Sequence, residues 1–405
     1  MTNRQAAIQI IRTLGKEGFH ALLAGGCVRD RLLGRVAKDY DVVTDAGPQE
    51  IIKLFRRTLK IGAKFGVVMV MINNQKIEVA TFRTEGGYAD GRHPGNVKFS
   101  DAKNDAVRRD FTINGMFYDF AAGKVIDHVG GQVDLQNRLI RTIGNAGERF
   151  GEDYLRMLRA VRFSTQLGFV IEKKTFKAIC RHAPKVAKIS GERISMELEA
   201  ILSNPNRANG ASMLLESSLA GAIFKGFTTA DAKFGIRVLR YLRKRIDFPL
   251  ALAGLLARCE TGFVMDRCAA LKLSRAHRKH LRFLLTHRQR LLDVQMGLAD
   301  LKLLLAEPYF WDLHELQKAI QKANDESIKP LTEIKKRAQA LKGKELRPKP
   351  LLNGHELIAL GVQSGSMVGL VCEEMYIAQL GEMIHTPDQA RNWVARWLKK
   401  HERVE

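Results

Sequence analysis

Apolar residues in roughly the first 143 positions come in short runs divided by polar turns. From about residue 144 onward they recur at helical spacing. Residues 1–20 read as an amphipathic helix ending at His20. The run Ala21-Leu22-Leu23-Ala24 is short and continuous, which predicts a buried strand entering a Gly25-Gly26 turn. Residues 28–33 look helical, residues 39–44 read as a second strand, and residues 48–58 as a helix with Pro48 in its first turn. Residues 67–72 and 77–82 form a hairpin across Asn73-Asn74. Strands divided by one long helix predict a small mixed sheet and not a doubly wound one. Residues 84–101 are polar, Gly-rich and unpatterned, which predicts a mobile loop over an active site.

The helical part begins with Tyr154, Leu155, Met157, Leu158, Val161 and Phe163 at spacings of three and four. Further helices are predicted over residues 192–203, 208–219, 230–244, 248–258 and 273–293. A basic, Pro-containing break at 341–350 precedes a final helical unit that starts near Asn353-Gly354.

Composition narrows the class. A chain of 405 residues exceeds one ordinary core, so two to four domains are expected. Hydrophobic content of 45% excludes a disordered protein. No apolar run reaches about 18 residues, so no membrane span is expected. The first residues lack the apolar core of a signal peptide. Cys27, Cys180, Cys259, Cys268 and Cys372 are scattered without a Cys-x-x-Cys, which argues against structural zinc or disulfides and for a reducing cytoplasm.

The net charge of +23 implies a polyphosphate partner. Residues 271–292 carry Lys272, Arg275, Arg278, Lys279, Arg282, Arg288 and Arg290 with no acidic residue among them. Helix surfaces usually mix signs, so this stripe reads as an RNA-backbone track.

The chemistry concentrates near the N-terminus. Gly25 and Gly26 let backbone amides approach phosphate oxygens. Asp39-Tyr40-Asp41 on a strand places two carboxylates on one face, about 7 Å apart along the backbone, able to converge on hard cations such as Mg²⁺. Glu78 is either a third carboxylate, for metal or for deprotonating a hydroxyl, or a strand-face ion-pair partner. Two metal ions at such a pair activate a 3′-hydroxyl and hold a triphosphate.

Arg108-Arg109-Asp110-Phe111-Thr112-Ile113-Asn114 is a dense polar cluster. Arg109 suits a phosphate, and Asp110 and Asn114, four apart on a helix, suit a ribose; a capped helix start is the alternative. Asp153 and Arg156 are three apart, either an intrahelical ion pair or a base reader. A carboxylate accepts from an exocyclic amino group while arginine donates to a ring acceptor. Cytosine and adenine both offer that edge, whereas uracil and guanine do not. Arg159 and Arg162 repeat the spacing toward phosphates.

Taken in order, Gly25-Gly26-x-Val28-Arg29-Asp30, Asp39-x-Asp41, Arg108 through Asn114, Asp127-x-x-Gly130-Gly131-x-x-Asp134-Leu135, Glu152-Asp153-x-x-Arg156 and Glu192-Arg193-Ile194 closely resemble the class II tRNA nucleotidyltransferase and bacterial poly(A) polymerase family. The resemblance covers roughly residues 20–205. It implies an α/β head with the mixed sheet of polymerase-β-type nucleotidyltransferases, followed by an all-α neck, body and tail. The expected bounds are 1–143, 144–220, 221–345 and 346–405. It implies two Mg²⁺ ions at Asp39 and Asp41, nucleotide contacts from Gly25, Gly26, Arg29, Arg109, Asp110, Asn114, Arg159 and Arg162, and selection of CTP or ATP by Asp153 and Arg156. It also implies that Asp127, Gly131 and Asp134 help couple head and neck motion and that Glu192 and Arg193 support the neck helix. Cys27, and Gly115 where the family usually has Ala, are small departures.

The function expected is template-independent addition of CCA to tRNA 3′ ends, by a monomer or weak homodimer that holds tRNA through Lys272, Arg275, Arg278, Lys279 and Arg282. A poly(A) polymerase and an A-adding member of a split system are the alternatives. The full-length loop containing Arg92 and Pro94 argues against an enzyme adding only the cytidines, and Ile61-Gly62-Ala63-Lys64-Phe65-Gly66-Val67 looks more like the tRNA enzymes than the poly(A) branch. A non-catalytic RNA-binding relic would need a damaged carboxylate pair, and a small-molecule transferase would have no use for a basic helical half.

Overall fold

The computed structural model describes residues 1–59, 65–86 and 96–401. The chain forms two compact units, residues 1–232 with 269–273, and residues 233–268 with 274–405.

In the first unit, α1 (Asn3–Lys16) is capped by Thr2, whose hydroxyl accepts from the Gln5 amide while the Gln5 side chain accepts from the Thr2 amide. Its apolar stripe of Ala6, Ala7, Ile10 and Leu14 is buried, and the helix packs on the sheet behind it. That sheet begins with β1 (Ala21–Ala24), buried along its whole length as its unbroken apolar run requires. The chain turns at Gly25 into α2 (Gly26–Leu32) and returns as β2 (Asp41–Thr44), antiparallel to β1. Then come α3 (Pro48–Leu54), β3 (Thr58–Leu59), β4 (Val67–Ile72) and β5 (Gln75–Thr81). Asn73 and Asn74 both have positive φ, 45° and 65°, the demand of a two-residue hairpin that Asn meets well.

Beyond β6 (Arg83–Gly86), β7 (Asn96–Phe99) and α4 (Ala102–Val107), the sheet is completed by β8 (Phe117–Asp119) and β9 (Lys124–Ile126). Strand order is β3-β4-β5-β2-β1-β8-β9, with β2 and β5 parallel and the other neighbours antiparallel, so the sheet is mixed. Leu22, Ala24, Val43, Phe82, Ala106 and Phe117 form a core on it, with the Phe82 and Phe117 rings edge to face at 6.2 Å.

Several local expectations shift. Strand β2 starts at Asp41, leaving Asp39 just outside it. The helix predicted over 48–58 stops at Leu54 because Phe55 is extended, and Thr58–Leu59 becomes an edge strand. The ends of the predicted loop pair as β6 and β7, with Thr84 opposite Lys98. Residues 87–95, including Arg92 and Pro94, and residues 60–64 lie outside the described residues. Asp110 and Asn114 do not share an α-helix: a turn leads into a 3₁₀ helix over Thr112–Asn114.

The rest of the first unit is mainly helical: α5 (Gly131–Gln136), α6 (Ala146–Glu152), α7 (Leu155–Leu167), α8 (Lys173–His182), a 3₁₀ helix (Ala183–Lys188), α9 (Gly191–Leu202), α10 (Arg207–Glu216) and α11 (Leu219–Ile223). The short strands β10 (Leu139–Ile140) and β11 (Val170–Ile171) pair in parallel among these helices. The helix predicted over 208–219 breaks at Ser218, whose φ is 64°. Helix α7 buries Leu155, Met157, Leu158, Ala160 and Val161 and packs against α9 and α10.

Helix α12 (Thr229–Tyr241) leads into the second unit, which is helical throughout its described residues. It comprises α13 (Phe248–Leu255), α14 (Thr261–Ala270), α15 (Arg275–His287), α16 (Leu298–Leu305), α17 (Phe310–Ala323), α18 (Lys329–Ala340), α19 (Gly354–Ala359), α20 (Ser366–Leu380) and α21 (Pro387–His401). Helices α13, α15 and α17 pack together, and Leu357, Val371, Met375, Ala390, Val394 and Trp397 form a core near the C-terminus. No helix among the described residues is long and apolar enough to cross a membrane.

Candidate active site

The turn from β1 into α2 sets the floor of a cleft of about 1010 Å³ in the first unit. Gly25 has φ of 73°, and a Cβ there would lie 3.2 Å from Arg109 Nη1, so both backbone and space call for glycine. Its amide donates to the Met116 carbonyl at 3.2 Å, tying the turn to the polar cluster.

Beside this turn three carboxylates face the cleft. Asp41 stands at the start of β2 opposite Ala24. On the other side β2 runs parallel to β5 with Val42 beside Val79, so Asp41 and Glu78 point to the same face. Asp39 lies two residues before, and all three line the cleft. Asp41 touches solvent, yet protein crowds it on most sides. This lost hydration and the charge of Glu78 push its carboxyl up to about 6, with Arg109 opposing and Asp39 adding a little. Glu78 has no ion-pair partner among the described residues. Buried Cys27 beneath them, its thiol pushed up to about 11 by burial and then by Asp41, stays neutral.

The opposite wall is cationic and tied together. Arg29 Nη1 donates to Asn114 Oδ1 at 2.8 Å, and its Nε donates to Asp30 at 2.9 Å. Asn114 Nδ2 donates to Asp110 Oδ1 at 3.3 Å, and Arg159 Nη2 donates to Asp110 Oδ2 at 2.6 Å. Burial works against the Asp110 charge, but Arg159 outweighs it and holds the carboxyl below the usual range. Arg162 pairs with Glu197 of α9 at 2.8 Å. Arg29, Arg159 and Arg162 crowd the Phe163 ring at 5.4, 5.3 and 4.4 Å from its centroid.

Asp105, on α4, escaped the sequence reading. It is fully buried and accepts from Arg108 at 2.6 Å and from Arg109 at 2.9 Å, fixing both arginines. Burial opposes its charge, but Arg109 and Arg108 outweigh it and lower its pKa. The signal was available as an Asp three and four residues before an Arg pair.

Asp153 and Arg156 are not paired with each other. Asp153 Oδ1 accepts the Leu155 amide at 3.0 Å, and Oδ2 pairs with Arg193 of α9 at 2.7 Å. Arg156 pairs with Glu152 and donates to the Arg149 carbonyl at 3.1 Å. Both line the same cleft as the carboxylates.

The basic run of residues 271–292 is narrower than its sequence. Lys272 pairs with Glu192 at 2.7 Å in the first unit, Arg288 donates to the Ala257 carbonyl at 2.7 Å, and Arg290 pairs with Asp300 at 2.9 Å. Partners distant in sequence consume these charges. Arg275, Arg278, Lys279 and Arg282 remain along one face of α15, lining a hollow of about 580 Å³ with Phe283 and His287. On the other face His280 is wedged between Asp247 at 3.4 Å and Asp312 at 3.3 Å. Each ring nitrogen faces a different carboxylate, the geometry of a paired imidazolium and not of a metal ligand.

Residues 21–141 match the family model described as the poly A polymerase head domain, and residues 168–231 that described as the probable RNA and SrmB-binding site of polymerase A. Over these residues the chain is similar to poly(A) polymerases. It is 46% identical over 217 residues to the CCA-adding enzyme of Geobacillus thermodenitrificans, a match covering 53% of this chain and 54% of that one. It is 45% identical over 212 residues to the CCA-adding enzyme of Enterococcus faecalis, covering 52% of each. The chain spans about half the length of the curated relatives it matches. Its structure is similar to the Bacillus stearothermophilus CCA-adding enzyme in complex with CTP, at 28% identity and a TM-score of 0.83 over 100% of both chains. The Thermotoga maritima CCA-adding enzyme complexed with tRNA shares the fold at 21% identity and a TM-score of 0.70, over 97% of this chain and 95% of that one. At Gly115 a Cβ would meet Val129 Cγ2 at 2.7 Å and Ile143 Cδ1 at 2.9 Å, so this chain has filled the space an alanine would need.

Proposed function

We propose that this chain adds CCA to tRNA 3′ ends from CTP and ATP without a template, using two Mg²⁺ ions. The observation that supports this most is the placing of Asp39, Asp41 and Glu78 and of Asp153 and Arg156 along one cleft. The curated relatives are named CCA-adding enzymes, which favours this reading over poly(A) synthesis.

The donor set fits a hard divalent cation: oxygen ligands only, with Asp41 pushed up to about 6 by crowding and by Glu78, a repulsion that a cation would relieve. Asp39 and Asp41 would hold the metal, with Glu78 beside them. When bound, such ions make the primer 3′-hydroxyl more acidic and neutralise triphosphate charge. The 3′-oxygen forms its bond to the α-phosphorus as the bond to the β-phosphate bridging oxygen breaks, releasing pyrophosphate. In this reading Glu78, which lines the same cleft, accepts the hydroxyl proton. Arg29, Arg109, Arg159 and Arg162 supply positive charge for the phosphates, and the Gly25-Gly26 turn leaves room for them. Asp110 and Asn114 bond each other and these arginines, so we assign them to positioning the cations and the ribose.

Asp153 accepts from the exocyclic amine and Arg156 donates to the ring acceptor of cytosine or adenine. Arg193 and Glu152 fix their aim. We assign residues 1–143 to a catalytic head, 144–220 to a neck that reads the base, and 221–345 and 346–405 to a body and tail that hold tRNA. Arg275, Arg278, Lys279 and Arg282 are the body's phosphate contacts in this reading. Replacing Asp39 or Asp41 by Ala ends transfer of labelled CMP and AMP to tRNA lacking its 3′ end while the fold persists; retained transfer refutes the metal role.

A further inference from the structure

Behind the segment that carries Asp39 and Asp41 lies a second, smaller hollow of about 250 Å³ in the first unit. Arg4 of α1, Arg31 of α2 and Arg35 just beyond it line this hollow, with Tyr40, Tyr118 and Phe120 as its aromatic walls. No acidic residue lines it. Nor do these arginines, all exposed, have an acidic partner among the described residues, whereas Arg29, Arg159 and Arg162 of the cleft do.

Local structure brings the cations together. Helix α2 ends in a Schellman turn at Gly34, whose φ is 67°. The Gly34 amide donates to the Arg31 carbonyl at 3.1 Å, and the Arg35 amide donates to the Asp30 carbonyl at 2.8 Å. The chain reverses there with both arginines on the hollow. Arg4 comes from the first turn of α1, where Asn3 Nδ2 donates to the Lys38 carbonyl at 3.1 Å and ties that helix to the segment after the turn. Arg31 lies over the Tyr118 ring, 4.4 Å from its centroid, and donates to the Tyr118 hydroxyl at 3.2 Å. A guanidinium propped on a ring loses little freedom on binding, and its remaining N–H groups match phosphate oxygens. Arginine in the last turn of α2 also suits the helix dipole, but that role needs neither an aromatic support nor Arg4.

Size and geometry decide the occupant. About 250 Å³ is below the range of pockets that enclose a whole drug-sized molecule. Cations converging from separate segments suit a compact, multiply charged anion, whereas a nucleic-acid backbone calls for an extended track. We infer that this hollow is a second phosphate site, distinct from the catalytic cleft, that takes free inorganic pyrophosphate. The choice of pyrophosphate among compact anions rests on the proposed nucleotidyl transfer, which releases it. The site also borders the chemistry: Tyr40 faces the hollow while Asp39 and Asp41 on either side of it line the cleft, and Arg35 lines both.

The test titrates inorganic pyrophosphate calorimetrically into the full chain in metal-free buffer, with the cleft already saturated by CTP. Wild type is compared with a variant carrying Arg4→Ala and Arg31→Ala together. Wild type is expected to bind one pyrophosphate, and the variant to bind it at least about tenfold more weakly. CTP binding itself stays at the wild-type level in the variant, which shows the fold and the cleft intact. Equal pyrophosphate affinity in the two proteins overturns the inference, as does a wild type that binds none once CTP is in place. A variant that binds pyrophosphate as before but a tRNA transcript lacking its 3′ end more weakly overturns it too, and makes the hollow an RNA contact. The proposed activity fails on a different result: wild type that transfers neither CMP nor AMP to tRNA overturns that function, while the titration, which needs no turnover, still decides the site.

Discussion

The Asp153 carboxylate turns away from Arg156, three residues along, and pairs with Arg193 on α9 at 2.7 Å. Arg156 in turn is held by Glu152. The two groups assigned to reading the base are thus aimed independently, each by its own partner. Arg193→Ala releases Asp153 and is expected to relax discrimination against UTP and GTP by roughly 10- to 100-fold, on the order of 1 to 3 kcal/mol. Arg193→Lys recovers part of it. Competition assays among the four triphosphates measure this, and an unaltered preference would remove Arg193 from nucleotide selection.

Asp105 anchors Arg108 and Arg109 from a fully buried position. Asp105→Asn leaves two guanidinium groups without their counter-charge and is expected to cost about 3 to 5 kcal/mol. Because its folded pKa is lowered, the stability it contributes is present above the ordinary carboxylate value of about 3.9 and is lost as pH falls below it. Thermal melts of wild type and variant should therefore converge toward acid. A constant gap from pH 3 to pH 7 would contradict the assignment.

Much of this was legible beforehand because it follows from local rules. The unbroken run 21–24, the Asn73-Asn74 turn and the Asp39-Tyr40-Asp41 spacing need only short-range geometry. What sequence could not supply is partner choice across distance. Asp153 with Arg193 and Arg159 with Asp110 are pairs 40 and 49 residues apart. The stripe of 271–292 looked uniform because its acids, Glu192 and Asp300, come from outside it. Helices α8, α14 and α16 to α18 were not among the predicted helices.

His280 gives the second unit a response to alkali. Burial opposes its charge, but Asp247 and Asp312 outweigh that and push it up to about 9. With the folded pKa raised, its contribution is complete below about 6.5 and is lost as pH rises through about 9. His280→Gln is expected to lower stability at pH 6.5 by on the order of 2 kcal/mol, discounted because Asp247 is half exposed, and to remove the alkaline decline. Melting temperatures between pH 6 and 10 decide it; a wild-type profile that stays flat would exclude the clasp.

Arg275, Arg278, Lys279 and Arg282 share one face of α15 beside Phe283. Replacing Arg278, Lys279 and Arg282 by Ala is expected to weaken tRNA binding and to flatten its salt dependence by about 2 to 3 in slope. Titration of tRNA at several salt concentrations gives the answer, and identical slopes would withdraw α15 from RNA contact.

Asp41 carries a repulsion from Glu78 that a bound cation would relieve. Since Glu78 and crowding push its carboxyl up to about 6, the ionised form destabilises the fold at neutral pH. Asp41→Asn should abolish nucleotide transfer and raise the melting temperature at pH 7 together. A variant that is inactive and less stable would mean that Asp41 supports the fold and not a cation.

The most direct measurement extends three tRNA primers, ending before the first C, after one C and after both, with CTP and ATP supplied. All three are expected to reach CCA and stop. Extension of the last primer alone, by one A or by a long A tail, would contradict it.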